Sequence, residues 1–292
     1  MANRATALDR LVTQALVIED EDAREAGQLG FMARAMVQTT LPHRRVEGAV
    51  FRRENGKFKL TLLADPDIGL PYGTIPRLVL CWLTTEAVRT GERELVLGDS
   101  MSGFMHELGM VPTGGRWGSI TRLKDQTTRL FASTVSAVYS NGDRTALLNR
   151  SIVDEANLWW KPQTPDQAGL WESTVTLSEP FFREVTERPV PIDLRALKAL
   201  KKSPLGLDIY CWLTWRNSYL TKPVEVPWAA LAQQFGSDYA LLRQFKAAFL
   251  GELKKVLAVY PEARVNDGPT GLLLAPSATS VRKAPKPLPG AR

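Results

Sequence analysis

The tetrapeptide Cys-Trp-Leu-Thr (CWLT) occurs twice in this chain, at residues 81–84 and 211–214, and it contains both of the cysteines. Apolar side chains spaced three or four positions apart lead into each copy, which is typical of a buried helix. Pro76 and Pro204 fit the first turn of such a helix, where a missing amide proton costs little. The repeat therefore predicts two related helices, with the cysteines as core residues rather than a disulfide.

The residues that follow each copy also repeat in order. A β-like triplet follows at the same offset, since Glu94 and Val224 each lie 13 residues after the cysteine of their copy. Next comes a second predicted helix, DSMSGFMHELGM and PWAALAQQFG, which ends at Gly109 and Gly236. A longer third helix follows, SITRLKDQTTRLFAS and SDYALLRQFKAAFLGELKKVL, and then β-patterned segments with turn residues.

This order predicts an α+β fold made of two tandem winged-helix domains, each a helix-turn-helix with a β-hairpin wing. The expected parts are an N-terminal extension and helical lead-in (1–60), a first domain (61–185), a second domain (186–276) and a disordered basic tail (277–292). The boundary is placed after a strand that ends at 183–185, in an extended linker at 187–191. Asp193 is expected to cap a short helix over residues 194–200.

A helix-turn-helix places its last helix in the major groove of DNA. A helical wheel drawn at 100° per residue turns Leu123 and Leu130 inward in the third helix of the first copy. In the third helix of the second copy, the wheel turns Leu241 and Phe245 inward. The residues predicted to contact DNA are Arg116, Ser119, Thr121, Arg122, Arg129, Arg243, Gln244, Ala247 and Lys254. The alternative is two ordinary amphipathic helices with solvated basic faces.

Different roles are expected within this set. Arg116 and Ser119, the predicted N-cap, stand where a helix N-terminus attracts phosphate. Ala247 and the nearby Gly251 are small enough for a helix that lies deep in a groove. Four further basic residues are predicted either to contact the DNA backbone or to be plain surface residues: Arg195, Lys198, Lys201 and Lys202.

Composition narrows the class of function. The net charge is +6, which suits an anionic partner such as nucleic acid or a membrane surface. No apolar run approaches the ~18 residues of a membrane span, and the N-terminus lacks a signal-peptide pattern, so a cytoplasmic location is expected. The P-loop motif is missing and the two histidines, His43 and His106, are far apart. We therefore expect a binding protein, not an enzyme, without metal or other cofactor.

Several segments resemble the plasmid replication initiators of the RepA type, over roughly residues 60–275. They are Leu70-Pro71-Tyr72-Gly73, Pro76-Arg77, Gly98-Asp99-Ser100, Phe104, the 113–118 loop, Trp159-Trp160 and the second CWLT segment. The resemblance implies an initiator that binds direct repeats (iterons) in double-stranded DNA at a plasmid origin. It also implies opening of the adjacent A·T-rich duplex and recruitment of the host replication initiator and the replicative helicase.

In some relatives, dimers bind an inverted repeat and repress the initiator's own gene, which makes a homodimer a candidate partner here. A sequence-specific transcriptional repressor with no role in replication is the main alternative function. It would use the same DNA-binding surface.

Overall fold

The computed structural model describes residues 7–56, 58–140, 143, 145–158, 173–236 and 239–282. Helices and antiparallel sheets make up these residues, which confirms the predicted α+β class. The elements before the first CWLT copy are α1 (Ala7–Asp20), β1 (Leu29–Met32), α2 (Arg34–Gln38), β2 (Val50–Asn55) and β3 (Phe58–Leu63).

The first CWLT copy lies in a helix, as predicted, and the expected short strand and two helices follow it. These elements are α3 (Thr74–Thr90), β4 (Glu94–Val96), α4 (Met101–Glu107) and α5 (Ser119–Phe131). Four strands come next: β5 (Thr134–Ser140), β6 (Thr145–Ser151), β7 (Val153–Asn157) and β8 (Thr174–Leu177). Ser100 caps α4, because its hydroxyl accepts a hydrogen bond from the Gly103 amide.

The second copy repeats this order of elements. Three connecting elements precede it: α6 (Glu179–Glu187), β9 (Val190–Asp193) and α7 (Leu194–Leu200). The copy itself consists of α8 (Pro204–Asn217), β10 (Val224–Pro227), α9 (Trp228–Phe235), α10 (Leu242–Val259), β11 (Val265–Asp267) and β12 (Gly271–Leu274). Ser203 caps α8 through the Gly206 amide, and Pro204 takes the first helical position, as expected.

The sheets of the two copies share one topology. The strand orders are β4-β8-β7 and β10-β12-β11, so in both the last strand in sequence lies in the middle. The first copy also has an inserted hairpin, β5–β6, which joins β2 and β3 in a four-stranded sheet of order β2-β3-β5-β6. The two copies are therefore alike in their helices and three-stranded sheets and differ by this hairpin.

Each CWLT tryptophan makes the same contact in its own copy. Trp82 packs edge-on against Phe104 of α4 with ring centroids 5.0 Å apart, and Trp212 packs edge-on against Phe235 of α9 at 5.6 Å. Cys81 and Cys211 are buried and unpaired, as predicted. α3 and α8 are buried over most of their surfaces, which explains why both read as nearly continuous apolar helices.

The N-terminal residues are part of this assembly. β1 pairs antiparallel with β9, and the amide of Phe31 donates to Thr85 of α3 at 2.9 Å. α1 packs on α7 and α10. The predicted limit of the N-terminal extension at residue 60 falls inside β3, which pairs with both β2 and β5.

The predicted boundary region has a different structure from the one expected. Residues 183–185 belong to α6, where Phe181 and Val185 lie one turn apart in the core. The expected linker includes part of β9, whose hydrogen-bonding partner β1 lies about 160 residues earlier in the chain and was invisible to local patterns. Asp193 caps α7 as predicted, accepting from the Arg195 amide.

The predicted disordered tail is ordered in its first part. Tyr260 donates to the carbonyl of Ala278, Tyr210 shares a 2.7 Å hydrogen bond with Ser280, and Val281 is buried. These contacts come from tyrosines of the second copy, so composition alone did not reveal them. The rest of the tail, 283–292, lies outside the described residues, as does Trp159-Trp160.

Candidate nucleic-acid interface

The outward face of α5 agrees with the helical wheel at Thr121 and Arg122. Leu123 and Leu130 are fully buried, whereas Thr121 and Arg122 are exposed near the start of the helix. Within the described residues the Arg122 guanidinium takes part in no ion pair. A cation held in the open at the N-terminal end of a helix is suited to contact an anionic partner.

Two predicted residues of this helix have other roles. Arg129 is only 17% exposed at its side chain, because it forms an ion pair with Asp125 at 2.9 Å and lies over the ring of Tyr72. Ser119 is not the N-cap, which is Gly118, and it is buried. Its hydroxyl donates to the carbonyl of Val111 at 2.7 Å. The contacts of Arg129 with Tyr72 and of Ser119 with Val111 reach residues outside α5, which its helical wheel does not include.

The 113–118 loop before α5 is held by side-chain hydrogen bonds. The Ser119 amide donates to Oγ1 of Thr113 at 2.9 Å, and the Thr113 amide donates to Oγ of Ser119 at 2.8 Å. Thr121 Oγ1 donates to the carbonyl of Gly115 at 2.9 Å. Arg116 is exposed, as predicted, and stands at the outer end of this loop beside Trp117.

The outward face of α10 carries the predicted residues of the second copy. Arg243, Gln244, Ala247 and Lys254 are all exposed. The inward face is confirmed by the burial of four apolar residues: Phe245, Phe249, Leu253 and Val256. Leu241, predicted to face inward, is 45% exposed, because it is the extended N-cap and precedes the helical periodicity.

A basic cleft of about 450 Å³ lies between α5 and the α7–α8 connection. Arg122 lines it on one side, and Lys201 and Lys202 line it on the other. Burial lowers the pKa of Lys201, and the neighbouring charges of Lys202 and Lys198 lower it further. Its ammonium donates to the carbonyl of Gly109. Asp125, which is paired with Arg129, also lines the cleft. The three basic side chains of the cleft carry like charges that an anionic ligand would stabilise.

A second cleft, of about 520 Å³, begins at the next residue of the same connection. Ser203 and Pro204 form one side, and Gly251 and Lys255 of α10 form the other. The connection between α7 and α8 therefore lies between the two third helices, with one cleft toward each. Arg195, predicted as a contact to the DNA backbone or as plain surface, is bound to Asp193 at 2.8 Å.

A buried ion pair joins the two CWLT helices. Arg77 of α3 binds Asp208 of α8 through Nε and Nη2, each at 2.7 Å, and His43 Nε2 approaches the same carboxylate at 2.8 Å. Arg77 also donates to the carbonyls of Leu41 and Gly73. This network therefore joins the CWLT helix of one copy to that of the other.

The protonation of this network follows from its surroundings. Burial alone would raise the pKa of Asp208, but the charge of Arg77 and the hydrogen bonds from His43 and Arg77 hold it below its usual value. Burial lowers the pKa of His43 and outweighs the raising effect of Asp208. Sequence reasoning missed the pair, although a charged residue on the apolar face of each CWLT helix was a usable signal.

The described part of the chain contains neither a cluster of metal ligands nor a membrane-spanning helix. No group of three or more His, Cys, Asp or Glu side chains there is arranged to hold a metal ion. No helix in that part is long and apolar enough to cross a membrane.

Comparison with solved structures shows a shared fold. A crystal structure of selenomethionine derivatives of domains 2 and 3 of RctB superposes with a TM-score of 0.52 and 12% identity, covering 83% of this chain and 95% of that chain. A second crystal structure, of RctB domains 2–3, gives a TM-score of 0.48 and 10% identity over 82% of this chain and 93% of that one. At 12% identity the first likeness concerns the fold alone, and it supports the mixed α+β architecture.

Comparison with sequence families is more specific. No curated protein matches the chain. The family model RepA_C, described as plasmid-encoded RepA protein, matches residues 70–227, which is more than half of the 292 residues. The match begins at the Leu70-Pro71-Tyr72-Gly73 segment, includes both CWLT copies and ends at Pro227 before α9. The chain therefore belongs to the RepA_C family of plasmid-encoded RepA proteins.

Proposed function

We propose that this chain initiates plasmid replication by binding direct repeats in duplex DNA at the plasmid origin, with two winged-helix domains. Each copy has the helix, strand, helix, helix and sheet order of that fold, with α5 and α10 as the recognition helices. Family membership supports the replication role. The observation that carries the proposal is that both recognition helices expose an arginine near the N-terminal end, Arg122 and Arg243, and neither forms an ion pair with any residue that the structure describes.

The connection between the two helices supports a single continuous contact. Lys202 is exposed in the cleft beside Arg122, and among the described residues it forms no ion pair. Phosphate contacts of this kind position a protein on DNA, whereas arginine contacts to guanine edges read its sequence. We infer that Lys201 and Lys202 bind the backbone between the two segments of major groove that α5 and α10 read.

The proposed role is binding without a catalytic step. Incubation of the purified protein with supercoiled origin DNA and Mg²⁺ should leave the DNA intact. A nicked product would refute this part of the proposal. By family resemblance, opening of the A·T-rich duplex and recruitment of the host initiator and helicase would follow binding.

Fluorescence anisotropy with a duplex of direct repeats tests the binding surface. Arg122→Ala and Arg243→Ala should each weaken specific binding by about 1–3 kcal/mol and relax preference over a scrambled duplex. Lys202→Ala should weaken binding to both duplexes equally. It should also reduce the slope of the logarithm of the binding constant against the logarithm of the salt concentration by about 0.9. Arg183→Ala is the charge-matched control, because the Arg183 side chain is 66% exposed on the outer side of α6. Unchanged affinity in both arginine variants would refute the interface.

A plasmid assay separates the initiator from the repressor. A plasmid that carries only this gene and its flanking repeats should replicate with the parent protein and fail with Arg122→Ala. Repression of a reporter without any replication would instead favour the transcriptional repressor.

A further inference from the structure

The turn before α5 presents the most exposed large apolar side chain among the described residues. Trp117 is 82% exposed, whereas the tryptophans of both CWLT copies are buried. It stands in the turn 115–118, which is closed by a hydrogen bond from the Gly118 amide to the Gly115 carbonyl at 3.1 Å. Single exposed apolar side chains are common on protein surfaces, so the case for a ligand depends on the residues beside this indole.

The backbone under this indole is held firmly. Gly115 has φ +87°, a conformation that side chains disfavour, and a Cβ on Gly118 would meet the carbonyl oxygens of Thr113 and Gly114 at 2.3 Å. The hydrogen bonds that join Thr113 to Ser119 then connect the turn to the buried start of α5. Little backbone entropy would be lost when a ligand binds this turn.

The chemistry of the turn matches a nucleotide. The guanidinium of Arg116 lies over the indole, 5.2 Å from the ring centroid, and leaves most of the ring uncovered. An aromatic face beside an arginine is the combination that binds single-stranded nucleic acid, because the ring stacks on a base and the cation attracts the phosphate. Hot spots of protein–protein interfaces, by contrast, lie in well-packed, fully desolvated pockets. The other residues of the turn are Gly115, Arg116 and Gly118, and none of them carries an apolar side chain.

The exposed ring also indicates whether the bound DNA is double-stranded or single-stranded. In a duplex the faces of the bases are covered by their stacked neighbours, and the grooves expose only base edges. A single indole can stack fully only on a base that has left the helix. Melting the duplex beside a bound repeat would supply such bases close to α5.

We propose that Trp117 and Arg116 form a stacking site for an unpaired nucleotide of a melted DNA strand. This site rests on the proposed DNA-binding role of α5 and adds a second type of DNA contact to it. The duplex would be read by Thr121 and Arg122 on the helix, and the open strand would be held by the turn before it.

Single-strand binding of the full chain tests this site. The probe is a fluorescein-labelled oligonucleotide of about 16 thymidines, measured by anisotropy beside the duplex of direct repeats. Trp117→Ala should weaken binding to the single strand by about 5- to 140-fold, the range expected for loss of one stacked base. Its affinity for the duplex should change less than threefold. Trp117→Phe should recover most of the single-strand affinity, because phenylalanine retains a stacking face.

Val111→Ala is the matched control. Val111 belongs to the same loop region and is 70% exposed, but it has no ring. It should bind the single strand like the parent. Equal losses in Val111→Ala and Trp117→Ala, or recovery by Trp117→Leu, would show a general apolar contact and overturn the stacking site.

The duplex measurement keeps this proposal separate from the main one. An equal loss of duplex and single-strand binding in Trp117→Ala would make the indole a duplex contact and overturn the site. Failure of the parent protein to bind the duplex would refute the proposed function instead. Thermal unfolding of each variant, which should match the parent because the indole is exposed, shows that the folds are comparable.

Discussion

The ion pair between the CWLT helices can be tested by removing one of its charges. Asp208→Asn removes the carboxylate that accepts two hydrogen bonds from Arg77 and one from His43. Arg77 is then left buried, with a side chain only 4% exposed and no anion beside it. Loss of one partner from a buried pair costs about 3–5 kcal/mol.

The surroundings of Arg77 place the expected cost at the lower end of that range. The carbonyls of Leu41 and Gly73 still accept from the guanidinium, at 2.8 and 2.6 Å, and so stabilise part of its charge. We therefore expect the free energy of unfolding to fall by about 3 kcal/mol. At ~2–4 °C per kcal/mol for a chain of this size, the melting temperature should fall by about 6–12 °C.

Urea unfolding followed by circular dichroism measures this change. Glu54→Gln is the control, because it breaks the exposed Lys59–Glu54 pair and should cost less than about 1 kcal/mol. The double variant Arg77→Met with Asp208→Leu removes both buried charges. Its loss of stability should therefore be smaller than the sum of the losses in the single variants Arg77→Met and Asp208→Leu. A stability of Asp208→Asn within about 1 kcal/mol of the parent, or strict additivity in the double variant, would refute the reasoning.

Three further predictions concern single residues. The lowered pKa of His43 means that the unfolded chain binds more protons below about pH 6.5, so stability should be complete above that pH and fall on acidification toward pH 5. Urea titrations of His43→Gln should show a flatter profile, and an unchanged profile would contradict the assignment. Gly251→Ala should raise the free energy of unfolding by about 0.5–1 kcal/mol, since no atom lies within 4 Å of the added Cβ, while duplex affinity falls in the anisotropy assay. Burial raises the pKa of Cys81 to about 12, so both cysteines should resist a thiol reagent at pH 8 until the protein is unfolded, and rapid labelling of the native chain would show that they are accessible.

The sequence predicted the features that depend on local periodicity. The CWLT repeat located α3 and α8, and matching caps and glycines located the helices that follow. The exposed faces of α5 and α10 followed from the 100° rotation per residue, which is why Arg122 and Arg243 lie where the wheels place them. Each of these features is determined by residues within a few turns of one another.

The tertiary structure decided the features that join distant residues. Arg77 meets Asp208 across 131 positions, and β1 meets β9 across about 160. The same limit applies at shorter range to Ser119, which was predicted as the N-cap of α5 and which loop hydrogen bonds hold inside instead. A helical period states which face of a segment is buried, but it contains no information about the partner that covers it. Strand pairing, buried ion pairs and the exposure of Trp117 depend on that partner, so only the tertiary structure determines them.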